Sequence, residues 1–361
     1  MDTINALKEV FDLLSQPVFF AREQTIEYCN YAATRSMICE GEPLSRYLSE
    51  AVAACITGDE PLHLPLTAAG RSSWATVRPF DGGMLFVLEA DDSESLRADA
   101  LLPLSNAVNG PLTELLTAMK KLLPLLDESE DATFRRGAAA LRHGTYRLLR
   151  VGKNLPAMRD VLTDEDVICR TKGDLRDLLS SLREKAAPLL APTGIMLRCE
   201  LPEEPVDAWF DQLRLRRALL NLLSNAARFT SRGGEITLRL DTIGDYARIT
   251  VEDTGRGFDP DVLASAFRRY DRRIELEAYE WGVGFGLPIA RSIAENHGGT
   301  ILIRSAPGRG ASVYLTVKLG LPPRDQTVST VRTQYDYTGG LPAEQFELSD
   351  ALPLESYENR K

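Results

Sequence analysis

The sequence predicts a multidomain α+β protein: a small α/β domain, a two-helix hairpin, then a larger α/β sandwich and a tail. Three observations predict it. Short strand-like runs separated by turn signals fill residues 1–92. Two long stretches in 93–165 carry apolar residues at three- and four-residue spacing. Strand and helix patterns then alternate across 166–320. A chain of 361 residues has material for two or three cores.

In the first region LKEVFDLL has helical spacing, PVFFA and TIEYC read as strands, and HLPLTA, SSWATVRPF and GGMLFVLEA follow, with AAGR and DGG as turns. The order is helix, two strands, helices, three strands, which gives an antiparallel sheet with helices on one face. Trp74 and Cys55 belong in the core or an interface, and His63 is expected at the surface. The polar run DDSESLRAD marks a boundary. LLPLSNAVNGPLTELLTAMKKLLPLL and FRRGAAALRHGTYRLLRVGKNLPAM then read as amphipathic helices joined by an acidic turn. A lone hairpin cannot bury a broad apolar stripe, so pairing with a second copy into a four-helix bundle is expected, making a homodimer.

From 166 to 320 the elements are helix DLRDLLSSLREKAAPLL, strand MLRCEL, helix QLRLRRALLNLLSNAARFT, strands EITLRL and YARITVE, a long variable stretch, helix LPIARSIAENHGG, and strands TILIRSA and ASVYLTVK. The tail, 321–361, opens with Leu-Pro-Pro and lacks a long periodic run. It reads either as a disordered extension or as a strap, with Tyr335, Tyr337, Phe346 and Tyr357 available to dock.

Apolar content of 44% and charged content of 26% are those of a globular protein. A net charge of −10 argues against a nucleic-acid surface. The five cysteines form no C-x-x-C pair, which argues against zinc and a disulfide framework and fits a reducing cytoplasm. No signal peptide or membrane-spanning run is read.

Three clusters carry chemistry. In NLLSNAARFT, Asn221, Asn225 and Arg228 share one helix face while Leu222, Leu223 and Ala226 point toward a core. An amide oxygen suits Mg²⁺, and a guanidinium suits phosphate, although two Asn and an Arg on a helix are more often a solvated face. In VEDTGRG, Asp253 continues the inward row of Ala247, Ile249 and Val251. A buried carboxylate needs donors, and the amine of adenine is one candidate. Gly255 and Gly257 let the backbone come close to a flat base; an ordinary Asp-Gly turn competes evenly with that reading. In GVGFGLPIA, Gly282, Gly284 and Gly286 alternate before a helix that starts near Leu287, which makes an anion site of free amides. The run comes too late in the chain for a dinucleotide-binding βαβ unit.

In this order and spacing the clusters resemble the N, G1 and G2 boxes of the ATPase superfamily of gyrase, ninety-kilodalton heat-shock chaperones, mismatch-repair proteins and histidine kinases. The likeness covers about 110 residues and is nearest to histidine kinases. AFRRYDR, with Phe267 and Arg272, resembles the F box, and His297 to Gly299 and PGRGASVYLTV resemble the family's ending. Asn221 stands where hydrolytic branches carry a Glu. The resemblance implies that Asp253 holds adenine, that Asn225 holds Mg²⁺, and that Asn221, Arg228 and the glycine loop to Leu287 hold the phosphates of ATP. Residues 258–281 correspond to the ATP lid. Its ELEAYE run is expected to face solvent.

In that family the hairpin carries S-H-E-x-R-T-P-L, where the histidine accepts a phosphoryl group and the next residue is its base. Here the frame reads Ser105-Asn106-Ala107-Val108-Asn109-Gly110-Pro111-Leu112. Asn106 is at the acceptor position, Ala107 at the base and Gly110 at the phosphatase position. An amide nitrogen is not a nucleophile at neutral pH. With the turn centred near Glu130, His143 lies about nine residues, ~13 Å, along the bundle from the acceptor level, and is expected to be an ordinary bundle residue. His297 is expected to be structural. The N-terminal domain resembles a PAS sensor. The resemblance implies a cytoplasmic, dimeric histidine-kinase-like protein that binds Mg-ATP, with a response regulator or other signalling protein as partner. Two alternatives stay open: a non-catalytic ATP-binding scaffold, or a kinase acting on a His or Ser of a separate protein.

Overall fold

Alternating apolar residues in the first region become five antiparallel strands: β1 (Val18–Arg22), β2 (Thr25–Cys29), β3 (Leu62–Ala68), β4 (Arg71–Phe80) and β5 (Gly83–Leu88). They are ordered β2-β1-β5-β4-β3. The computed structural model describes residues 8, 10–56, 61–68, 70–88, 98–128, 131–163, 168–258, 285–320 and 342–358. Between β2 and β3 lie α1 (Tyr31–Arg35) and α2 (Glu50–Cys55). Asn30 caps α1: its Oδ1 accepts from the Ala33 and Val18 amides, both at 2.9 Å, tying the helix to the sheet.

The N-terminal sheet does not close on itself. The edge of β3 pairs with β11 (Ile301–Ser305), Ile303 opposite His63 and Arg304 opposite Leu62. The sheet runs on through β12 (Ala311–Lys318), β10 (Tyr246–Asp253), β9 (Glu235–Ile243) and β7 (Met196–Glu200), ten strands in all among the described residues. This junction overturns the expectation that His63 is at the surface. It is fully buried and stacked on Trp74 with centroids 4.7 Å apart. Trp74 in turn carries the Arg291 guanidinium at 4.7 Å. A position that an isolated sheet would expose is interior once a second sheet continues its edge.

The second unit packs α5 (Leu175–Leu190), α6 (Gln212–Phe229) and α7 (Gly286–Asn296) against β7 and β9–β12. Ile301, Ile303, Val313 and Leu315 join the helix-side core, whereas Leu302 and Tyr314 are buried with the N-terminal cluster on the opposite face. Burial on both faces explains why these two strands read as nearly unbroken apolar runs. Strands β6 (Thr171–Asp174) and β8 (Asp207–Phe210) form a separate pair. Helix α6 buries Leu215, Leu219, Leu222, Leu223 and Ala226, each leucine stabilising the packing by about 2 kcal/mol.

Between the units, α3 (Ala98–Asp127) and α4 (Ala132–Thr163) pack side by side. No helix among the described residues is long and apolar enough to cross a membrane. Residues 342–358, with α8 (Ala343–Glu347), lie as a strap on α3, α4 and α6. Phe346 and Tyr357 are buried there, and Tyr335 and Tyr337 lie outside the described residues.

Candidate nucleotide site

Helix α6 and the end of β10 build the site. Asp211 caps α6 by accepting from the Arg214 amide at 3.1 Å. Its own amide donates to Nε2 of His297 at 2.9 Å, and Nδ1 of His297 lies 2.6 Å from the Ile293 carbonyl. His297 is therefore the neutral tautomer with the proton on Nδ1, and burial pushes its pKa down to about 4. It fixes the start of α6 against the end of α7, the structural role expected of it.

A cavity of about 230 Å³ opens between α6 and β10. Leu222, Asn225, Ala226, Val251, Asp253 and Leu287 are among its walls. Asp253 is 8% exposed, in the same inward row as Ala247, Ile249 and Val251. Its Oδ1 accepts from the Gly255 amide at 2.8 Å. Burial, only partly offset by backbone donors at Gly255 and Ala311, raises its pKa to about 6.

The glycines here are required by close backbone approach. Gly257 has φ +70, and a Cβ on it would stand 2.1 Å from the Ala306 carbonyl oxygen. Gly310 has φ +77, and its Cβ would meet the Asp253 carbonyl oxygen at 1.9 Å. Ser305 ties the two turns together: its Oγ accepts from the Phe258 amide at 2.9 Å and donates to the Gly310 carbonyl at 2.6 Å. The result is a slot, apolar on its sides, with one carboxylate at its base and a polar mouth. An adenine-sized base fits that chemistry, and Asn225, half-exposed on the cavity wall, is an oxygen ligand suited to a hydrated Mg²⁺.

The structure brings Asn225, Asp253, Gly257 and Leu287 to one cavity, with Gly255 beside Asp253. Asn221 and Arg228 flank it. Asn221 is fully buried beside Gly286, where a Cβ would come 3.3 Å from the Asn221 Oδ1. The Arg228 guanidinium lies 5.7 Å from the Phe229 ring centroid. Gly282, Gly284, Phe267 and Arg272, and residues 259–281 of the lid, lie outside the described residues. Sequence reasoning missed Phe229, Arg256, Phe258, Pro307, Ala311 and Val313 in the lining. The aromatic residue after the N-box arginine and the Pro-Gly turn before β12 were the available signals. It also missed Arg150 on α4, which donates to the Asn221 Oδ1 at 3.0 Å; nothing local to α4 marks that contact.

Residues 210–321 match the family model "Histidine kinase-, DNA gyrase B-, and HSP90-like ATPase". The chain is 27% identical over 323 residues to the alginate biosynthesis sensor protein KinB of Pseudomonas aeruginosa, covering 82% of this chain and 54% of KinB. It is 33% identical over 154 residues to the adaptive-response sensory kinase SasA of Prochlorococcus marinus strain MIT 9313, covering 42% of each chain. The structure of full-length ShkA in complex with AMPPNP superimposes with a TM-score of 0.50 at 25% identity, over 63% of this chain and 47% of ShkA. The chain thus spans about half the length of KinB and of ShkA, and less of SasA. The α6–β10 cavity, the ATPase match over residues 210–321 and these relatives support a member of the histidine kinase family.

Proposed function

We propose that the cavity between α6 and β10 binds the adenine of Mg-ATP, and that the chain works as a sensor histidine kinase-like signalling protein whose own hairpin is not phosphorylated. The buried carboxylate of Asp253 at the base of an otherwise apolar slot carries the nucleotide reading. Asp253 would accept from the exocyclic amine, Asn225 would ligate Mg²⁺, and Asn221, Arg228, Gly286 and Leu287 would serve the phosphates; the resemblance assigns the same role to Gly282, Gly284 and Arg272, which lie outside the described residues. Bound Mg-ATP supplies an activated γ-phosphoryl group.

The doubt about self-phosphorylation rests on the histidines. Asn106, on α3, takes the acceptor position, and Ala107 and Gly110 are exposed beside it without proton chemistry. Only three histidines exist in the chain. His63 and His297 are buried. His143 points Nε2 at the Ser349 carbonyl at 2.9 Å and stacks on Tyr357 at 5.0 Å. Incubation of the full chain with γ-labelled Mg-ATP is expected to leave the chain without acid-labile phosphate. Stable labelling of the chain, mapped to His143 or elsewhere on the hairpin, sinks this reading. Transfer to a response regulator or other partner, lost in Asn225→Ala, would instead favour a kinase acting in trans.

The homodimer reading is supported by leucines left outside. Phe134, Leu141 and Leu148 on α4 recur every seven residues, as do Leu115 and Leu122 on α3, and all are exposed, with Leu125 beside them. Seven-residue spacing on two adjacent helices is the seam of a helical bundle. Light scattering is expected to give twice the chain mass, and Leu122→Glu with Leu148→Glu to give the monomer. A monomeric wild type at micromolar concentration would contradict the bundle. The five antiparallel strands with α1 and α2 support the PAS reading of residues 1–92, and five unbridged cysteines fit a reducing, cytoplasmic setting.

A further inference from the structure

The strap is held by carboxylates as well as by apolar contacts. Phe346 is buried among Leu112, Leu149 and their neighbours on α3 and α4. Leu348, Leu352 and Tyr357 join the main core. At three-residue steps, Glu344, Glu347 and Asp350 each meet arginine. Glu344 pairs with Arg216, whose Nε lies 2.9 Å away. Glu347, fully buried, lies 3.2 Å from the Arg150 Nε and 3.4 Å from the Arg217 Nε. Asp350 takes the Arg150 Nη1 at 2.5 Å and the Arg147 Nε at 3.1 Å.

One of these arginines reaches a residue assigned above to the phosphates. Arg150 bridges the strap to the site: two of its nitrogens face Glu347 and Asp350, and the third donates to Asn221, which abuts Gly286. Arg228, on α6 with Asn221, lies within electrostatic reach of Asp350, Arg147 and Arg150. A guanidinium fork matches carboxylate and phosphate oxygens equally well. The largely buried guanidiniums of Arg150, Arg216 and Arg217 need anions, and here the strap provides them.

We propose that the strap is an internal competitor of the nucleotide: Glu347 and Asp350 engage, with their carboxylates, the arginine cluster that the terminal phosphates of bound ATP would otherwise draw on, so seating the strap and binding the triphosphate oppose each other. This rests on the nucleotide reading of the cavity. Opposition of two ligands for one cluster is reciprocal, so each weakens the other by the same factor. Adenosine, which lacks phosphates, is indifferent to the strap.

Calorimetric titration of the full chain with Mg-ATP and with adenosine tests this. Asp350 is partly exposed and Asp350→Asn conserves shape, and Tyr357→Ala loosens the strap by removing a ring packed on His143 and Tyr146, leaving the carboxylate–arginine pairs in place. Both are expected to raise Mg-ATP affinity by about three- to tenfold, a gain of the size expected when one charged contact stops competing, and to leave adenosine within about twofold. Saturating Mg-ATP, but not adenosine, is expected to speed amide exchange across 343–358 in the wild type. Unchanged or lowered Mg-ATP affinity in Asp350→Asn overturns the proposal while leaving the nucleotide reading intact, since adenosine still binds. Absence of binding by both ligands in every protein overturns both. If Tyr357→Ala unfolds, Asp350→Asn and the exchange measurement still decide.

Discussion

Asp253→Asn is expected to weaken adenine-nucleotide binding by about ten- to a hundredfold, the effect of removing a charged acceptor from a buried hydrogen bond. The same substitution is expected to stabilise the unliganded protein at pH 7.5. Burial raises the Asp253 carboxyl from 3.8 to about 6, so the folded state holds a proton that the unfolded state releases between those values. Burying the charge then costs stability increasingly as pH rises through the window, and the full cost stands above about pH 6. Replacement by Asn removes that cost, about 1–3 kcal/mol at pH 7.5, and gains little at pH 3.5, where both states are neutral. Urea midpoints at the two pH values measure the stability, and titration with adenosine measures the affinity. Wild-type adenosine affinity is also expected to fall from pH 7.5 to pH 5 as the carboxyl protonates. An Asn variant that binds as well as the wild type removes Asp253 from the site.

Gly310→Ala is expected to cost about 2–5 kcal/mol of stability and to take nucleotide affinity with it. The left-handed backbone at φ +77 alone disfavours Ala by about 1–2 kcal/mol. The rest comes from contact. The new Cβ would stand 1.9 Å from the Asp253 carbonyl oxygen and 3.2 Å from the Thr254 Cα, and backbone atoms at the end of β10 cannot step aside as a flexible side chain can. Relief of that contact moves Asp253 itself. Gly308 is the control: its φ is +76, but nothing lies within 4 Å of its Cβ direction. Gly308→Ala is expected to lose only the conformational part. Equal losses of melting temperature in the two variants would show that the clasp between β10 and the turn before β12 is not tight.

The ATPase half was legible because its chemistry is local. Asp253 lies on a strand whose alternation points it inward, and Asn221 and Asn225 lie on a helix whose apolar residues fix which face is left for polar work. The helix from Gln212 to Phe229 and the strands on either side form where the periodicity reads them. What stayed hidden is long-range. His63 reads as a surface residue on an isolated sheet, and only the pairing of β3 with β11 buries it. The contact of Arg150 with Asn221 spans 71 positions, and that of Arg150 with Glu347 spans 197. No periodic pattern encodes such partners. The strap's aromatic anchors Phe346 and Tyr357 were readable, but its carboxylates were not: a five-residue helix has no amphipathic signature, and they acquire meaning only against arginines brought by α4 and α6.

Calorimetric titration of the full chain with Mg-ATP and, separately, Mg-GTP probes the adenine site most directly. On the proposed reading Asp253 would accept from the amine of adenine, whereas guanine presents a carbonyl oxygen at that edge, so two acceptors would face each other. One saturable site per chain is expected, with Mg-ATP preferred by at least about tenfold. No binding heat with Mg-ATP, or equal affinity for the two nucleotides, would contradict the assignment of this cavity to adenine.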